Sequence, residues 1–374
     1  MTNFGFAIAI LIFPVWRYLM EGQANAGFTI DQPETSHGKQ WTLRLDWTNL
    51  APKSELTQRM LAHQTNCSLP LGNYIYRNRH GLGSDLHIWG QALCNGMESK
   101  HRIRTLLPWI WMDQEKCGDL ASPMPCYFQT ELLCPSDDSM ARQYPTFAGE
   151  AIHNISSPNG NIKYDCESIM TTRSVTELRT AGVEFLFGRA SRLLVQEAER
   201  QLALVFKNAS HVPKDLITVH VRWGDKRSEM KLVPMAAYIK AVHEVLDGRS
   251  KSQKGEDSKQ ANIFLATEDP KAVEEFQQLA PPEWNIYLDQ YYIEMLPHRI
   301  EGFNGNPKMS AQLNGRTGLV ALGSLLVAME ANDFILTTAS NWSRLLDELR
   351  KSILNPRCKG CSTVIDLREV TNEW

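Results

Sequence analysis

The residues best suited to chemistry fall in the stretch 216–230, LITVHVRWGDKRSEM. His220 and Arg222 share one face of an alternating segment whose other face is Ile217, Val219 and Val221, the pattern of a half-buried β-strand. Gly224-Asp225 then signals a turn, and Pro234 opens a helical run, PMAAYIKAVHEVL, at the first-turn position that proline suits. A guanidinium and an imidazole at a strand end, followed within one turn by the ammonium of Lys226, make a reasonable grip for a phosphate. The neighbouring carboxylates are Asp225 and Glu229. Either could take a proton from a hydroxyl, and Asp225 could equally fix Arg222 by a salt bridge.

Such a grip needs a scaffold, and the second half of the chain supplies one. Strands are expected at 216–223, 262–267, 285–289 and 333–338, with helices at 234–246, 270–279, 316–331 and 342–354 between and after them. This alternation implies a parallel sheet with helices on both faces. Three of the strands end in polar residues: His220, Arg222 and Asp225-Lys226; then Thr267, Glu268 and Asp269; then the segment from Thr338 to Arg344, TASNWSR. Parallel strands bring all three ends to one sheet edge, where α/β proteins bind ligands. Ser340 or Asn341 can cap the last helix, whose N-terminus favours a phosphate, and Glu268-Asp269 before Pro270 can cap another. The long loop 290–312, with His298 and Arg299, is a candidate lid.

The first half is less regular. YIYRNRHGLGSDLHIWGQALCNGM reads as an extended segment, a turn at Gly81 and Gly83, and a helix over 86–97 capped by Ser84 or Asp85. The two glycines free backbone amides for close approach to a phosphate. RTLLPWIW, 104–111, reads as a buried strand, 113–165 as a cysteine-containing loop region, and 181–206 as one helix. A domain boundary is expected near 210–213.

A chain of 374 residues, 43% hydrophobic, suits two domains, and a formal net charge of −3 without a single-sign run argues against nucleic acid. The apolar run 4–16 is short for a membrane span of about 20 residues but suits a signal-peptide core, with Ala24-Asn25-Ala26 as a cleavage site. An uncleaved anchor is the alternative. Glycosylation acceptors stand at Asn66, Asn154, Asn208 and Asn341. The eight cysteines include one C-x-x-C, Cys358 and Cys361, and no second pair at zinc spacing, so disulfides of unspecified connectivity are expected. All of this suits the secretory path.

HVRWGDK resembles the HxRxxDK signature of the fucosyltransferases that use GDP-fucose, most closely the α1,6 group and its α1,2 and protein O-fucosyl relatives. The resemblance implies an α/β, GT-B-like fold of two Rossmann-like domains facing each other across a cleft. It also implies inverting transfer of fucose from GDP-fucose to a glycan or glycoprotein, without a metal or other cofactor, in the Golgi lumen. The layout would be a signal peptide or anchor at 1–26, a cysteine-rich acceptor-side domain at 27–210 and a nucleotide-sugar domain at 211–374. On this resemblance Arg222 holds the donor diphosphate, the turn at Gly81 and Gly83 faces the donor, Glu268 and Asp269 meet the nucleoside, and DFILTTASN brings Ser340 and Asn341 to the nucleotide. Glu229 is the expected base, one residue closer to its motif than in the family. The helix before the third element departs from the family: Leu322-Gly323-Ser324-Leu325 stand where it carries an aspartate for guanine, leaving that task to Glu330 or backbone groups. Two readings compete, a non-catalytic glycan-binding protein on the same scaffold and a transferase of another nucleotide sugar.

Overall fold

The computed structural model describes residues 41–76, 80–131, 133–134, 175–224, 231–252, 260–295 and 305–368. The N-terminal apolar run, Asn154, Asp225, Lys226, Glu229, His298 and Arg299 lie outside them. Residues 41–374 pack as one compact unit.

In the first half, α1 (Glu55–Gln64) precedes β1 (Leu71–Ile75), α2 (Leu82–Glu98) and β2 (Arg102–Leu106). The two strands pair in parallel, Leu71 opposite Arg102 through Ile75 opposite Leu106, so α2 is the crossover of a βαβ unit. The expected strand 104–111 stops at Leu106 because Pro108 has no amide to extend the ladder. Trp109 to Met112 instead form a loop that reappears in the site below. The expected helix 181–206 is two helices, α3 (Val175–Phe187) and α4 (Arg192–Val205). Tertiary pairing breaks it: the Ala190 amide donates to Trp47 O at 2.9 Å and the Arg189 carbonyl accepts from the Gln129 amide at 2.7 Å. Ser191 then caps α4, its Oγ accepting from the Leu194 amide at 3.2 Å.

The second half follows the expected alternation and adds a fifth strand, Thr363–Asp366, beyond the four expected. Strands β3 (Leu216–His220), β4 (Asn262–Ala266), β5 (Asn285–Leu288), β6 (Asp333–Leu336) and β7 (Thr363–Asp366) form an all-parallel sheet in the order β5-β4-β3-β6-β7. The connecting helices include α5 (Met235–Ser252), α6 (Pro270–Leu279), α7 (Gln290–Met295), α8 (Gly305–Gln312), α9 (Arg316–Ala328) and α10 (Asn341–Leu349). Two of these, α7 and α8, flank the undescribed middle of the segment expected as a single loop. Parallel βαβ units in both halves, with a cavity between them, agree with the α/β, GT-B-like expectation.

The strand expected to be half-buried is buried on both faces, because β3 is the central strand and helices cover each side. Ile217, Val219 and Val221 pack into the core shared with Tyr238, Val242 and Phe276. The opposite face meets protein, not solvent, and its polar groups have partners there: Thr218 Oγ1 donates to Ala328 O at 2.7 Å. That second face belongs to a core continuous with the first half, built from Trp89, Trp109, Phe128, Leu322 and Phe334 among others. Helix α9, buried from Thr317 to Ala328, runs through it, and its sequence there is accordingly apolar apart from Thr317 and Ser324.

Disulfides join Cys67 to Cys134, Cys117 to Cys126 and Cys358 to Cys361, and Cys94 is bonded to a partner outside the described residues. The first closes a separation of 67 residues, worth about 4 kcal/mol on a chain-entropy account. The loop it closes contains the βαβ unit of the first half.

Candidate active site

At the carboxyl edge of the large sheet lies a cavity of about 250 Å³. The chain leaves β3 toward β4 on one side, while β6 lies on the other. Loops after β3 and β6 therefore diverge and open a crevice at the switch point. From the second half the wall includes His220, Arg222, Thr267, Glu268, Ser340 and Asn341; from the first it includes His80, Gly81, Gly83, Ser84 and Trp111.

Arg222 points into this crevice and is 11% exposed at its side chain. Its Nη1 donates to Glu268 Oε1 at 2.5 Å and to Trp223 O at 3.1 Å. Glu268 also accepts from Asn306 Nδ2 at 3.0 and 3.2 Å. In this state the guanidinium is thus oriented by a carboxylate on the same wall. His220 is buried, and its Nδ1 is 2.6 Å from Ser343 Oγ, which accepts from the Thr337 amide at 3.2 Å. Burial and then the nearby Arg222 charge press the imidazole pKa down to about 3, so His220 is a neutral hydrogen-bonding group and adds no charge at neutral pH.

Two helix N-termini meet at the same cavity. Helix α2 begins at Leu82, earlier than its expected start at 86, with Gly81 as N-cap and no side-chain cap. Ser84 and Asp85 lie inside the helix and do not cap it: Ser84 Oγ accepts from Asn341 Nδ2, and Asp85 Oδ2 accepts from Trp109 Nε1 at 2.9 Å. The second N-terminus is that of α10, where Ser340 is the cap and its Oγ accepts from the Trp342 amide at 3.3 Å. A Cβ on Gly83 would sit 3.4 Å from the backbone of Asn341. That is about ordinary contact distance, so the two helix ends lie side by side, and both direct partial positive charge at one space.

Other sequence-derived candidates stand behind the wall. Asp269 caps α6, its Oδ1 accepting from the Lys271 amide at 3.0 Å, and its own amide donates to Thr267 Oγ1 at 3.1 Å. Thr338 is tied to Asp366 through its amide at 3.0 Å and its hydroxyl at 2.5 Å. Arg344 donates through Nε to Thr338 O at 2.6 Å and through Nη1 to Asn341 Oδ1 at 2.9 Å. These three residues hold wall residues in place and do not line the cavity. Glu330 is also off the wall: its Oε1 accepts from the Arg44 amide at 3.1 Å, and burial pushes its carboxyl up to about 7 against the opposing pull of Arg44. On α9 the polar groups that reach the cavity are Thr317 and Ser324.

Sequence reasoning did not single out His80 or Trp111, which line the cavity, although His80 carried a readable signal as the residue directly before the Gly81-x-Gly83 turn. Tyr292 and Asn306, also on the wall, fall within the segment 290–312 expected as a lid, but were not named there. Asn341 has a further consequence. Both ends of its amide are engaged, with Ser84 and Arg344, and Ser343 of its acceptor triplet is fully buried. Glycopeptide mapping of the secreted protein should therefore find Asn341 unmodified, whereas full occupancy there would show that it does not face the site.

No protein-family model matches the chain, and no curated protein matches it. Among solved structures it is similar to a mutant of FUT1 from Arabidopsis thaliana in complex with GDP, at a TM-score of 0.41 and 10% identity, covering 86% of this chain and 76% of that one.

Proposed function

We propose that the protein is an inverting glycosyltransferase that moves fucose from GDP-fucose to a hydroxyl of a glycan or glycoprotein, with α1,6-type handling of the donor. The observation that carries this reading is the convergence of Arg222 with the N-termini of α2 and α10 on one crevice at the sheet's switch point. A nucleoside diphosphate is the ligand that such an arrangement favours: negative charge meets a guanidinium fork and the partial positive charge of two helix N-termini.

Transfer with inversion needs two things from the protein. Charge growing on the departing diphosphate must be offset, and here Arg222 and the two helix ends supply that, joined on the sequence reading by Lys226. The attacking hydroxyl must lose its proton to a base. No metal is assigned a role in this scheme. Residence in the secretory path, with Golgi retention, completes the proposal, and the disulfides support it because such bonds persist in oxidising compartments.

The test is a donor screen in which GDP, GDP-fucose, GDP-mannose and UDP-sugars are added to the purified protein and thermal unfolding is followed. GDP-fucose at a hundred times its Kd should stabilise by about 2.7 kcal/mol. Preferential stabilisation by a UDP-sugar would favour the second reading, a transferase of another nucleotide sugar. That reading rests on the absence of an aspartate from the 322–325 segment of α9. No response to any nucleotide would remove the transferase assignment altogether.

A further inference from the structure

We propose that His80 is the base that accepts the proton of the incoming hydroxyl, and that Asp85 is the residue that positions it. The proposal rests on the transferase reading above. It concerns the part of the cavity wall that the first half of the chain provides.

The dyad is built by two tryptophans of one loop. Trp111 Nε1 donates to the His80 carbonyl at 3.3 Å, which fixes the backbone. Trp109 Nε1 donates to Asp85 Oδ2 at 2.9 Å, which fixes the carboxylate. The other carboxylate oxygen, Oδ1, is 3.6 Å from His80 Nδ1. Both of these atoms are buried, and neither has a hydrogen-bond partner among the described residues. Two buried polar atoms facing each other are a pair in waiting, since an unpartnered buried polar group is costly. Such contacts in ligand-free sites are often long and tighten when substrate closes the site.

The ring is not simply packed away. Asp85 is 1% exposed at its side chain, but His80 is 34% exposed, and His80 is on the cavity wall. Because Nδ1 is buried, the exposed edge is the one that bears Nε2. A carboxylate on Nδ1 selects the tautomer with the proton there, leaving the Nε2 lone pair directed to the cavity. Among the described residues, the other titratable groups around the dyad and on its cavity wall are Tyr76, whose buried phenol stays protonated, and His220, Arg222, Glu268 and Tyr292. Burial pushes the Asp85 carboxyl up, while the nearby His80 ring and the hydrogen bond from Trp109 pull it down.

The step balances without any further reagent. The acceptor oxygen forms its bond to the anomeric carbon as its proton passes to His80 Nε2. The bond from that carbon to the phosphate oxygen breaks, and its electron pair leaves on the diphosphate. The imidazolium then stands beside the Asp85 carboxylate until it gives its proton to solvent.

The experiment compares the parent with His80→Gln, Asp85→Asn and Glu229→Gln, all checked for folding by thermal melt. Calorimetry measures GDP binding. GDP release from GDP-fucose, with water or a mixed N-glycan pool as acceptor, measures turnover across pH. His80→Gln should keep GDP affinity within about threefold, since it removes no ground-state donor contact. It should lose about 10²- to 10⁴-fold in turnover, together with the low-pH limb of the profile. Asp85→Asn should lose less and move that limb to lower pH, because the ring no longer has a carboxylate to favour its protonated form; a merely structural role would not move it. Normal turnover by His80→Gln, loss confined to Glu229→Gln, or parallel loss of GDP binding and turnover would each overturn the proposal. A parent that binds GDP but never splits GDP-fucose would overturn it too. A parent that binds no GDP would instead bring down the donor reading on which it stands.

Discussion

Replacing Arg222 with alanine is expected to lower GDP-fucose turnover by about three orders of magnitude, the loss typical when a preorganised charge-stabilising donor is removed. The reason is twofold. The guanidinium that would meet the diphosphate disappears, and Glu268, now without its ion-pair partner on the wall, becomes a negative charge that repels the ligand. Adding Glu268→Gln to Arg222→Ala should therefore restore part of the GDP affinity, and a double-mutant cycle would give the coupling directly. Stability should fall by only about 1–2 kcal/mol, because Glu268 keeps its bonds from Asn306 and the pair opens on the cavity. Calorimetric GDP binding, turnover and a melt on the same preparations decide the matter. If GDP affinity is unchanged and only acceptor affinity moves, the donor has been placed on the wrong side of the crevice.

Gly318→Ala should do more damage to the fold than its size suggests. An added Cβ would lie 2.0 Å from the Trp111 carbonyl oxygen and 2.9 Å from the carbon behind it, and backbone atoms cannot swing aside. Gly315, one turn earlier at φ +78°, brings the same loop to the helix, with a would-be Cβ 1.8 Å from Met112 O. These two positions are how α9 of the second half seats the tryptophan loop of the first. We expect a loss of about 3 kcal/mol, at the upper end for overpacking, read as a drop of about 4 °C in melting temperature. Turnover should fall as well, because Trp111 holds the backbone of His80. Gly81→Ala is the control for stability: nothing lies within 4 Å of its Cβ, and its φ of −64° suits any residue.

These two substitutions probe different kinds of information. The chemistry expected around Arg222 came from a stretch of consecutive residues, and so did the elements that carry it. Strand alternation, Pro270 and Pro234 near helix starts, and Ser340 as a cap are local signals, and the observed β3, β4, β6, α6 and α10 lie where those signals put them, with the three strands and α10 ending earlier than expected. The C-x-x-C and the even cysteine set announced cross-links without saying which.

Contacts between distant parts of the chain decided the rest. Arg222 meets Glu268 across 46 residues and Asn341 meets Ser84 across 257, separations over which no periodicity carries information. The break between α3 and α4 came from pairing with Trp47 and Gln129, which overrode a continuous helical pattern. Asp269 and Glu330 looked equally able to face a ligand, but one was taken by a helix cap and the other by Arg44. Which polar side chains remain for a substrate depends on what the finished core already uses. The sequence by itself determined the elements and the cationic strand end, because those follow from neighbours in the chain; the wall of the cavity, and the dyad of His80 and Asp85 on it, had to wait for the packing of one half against the other.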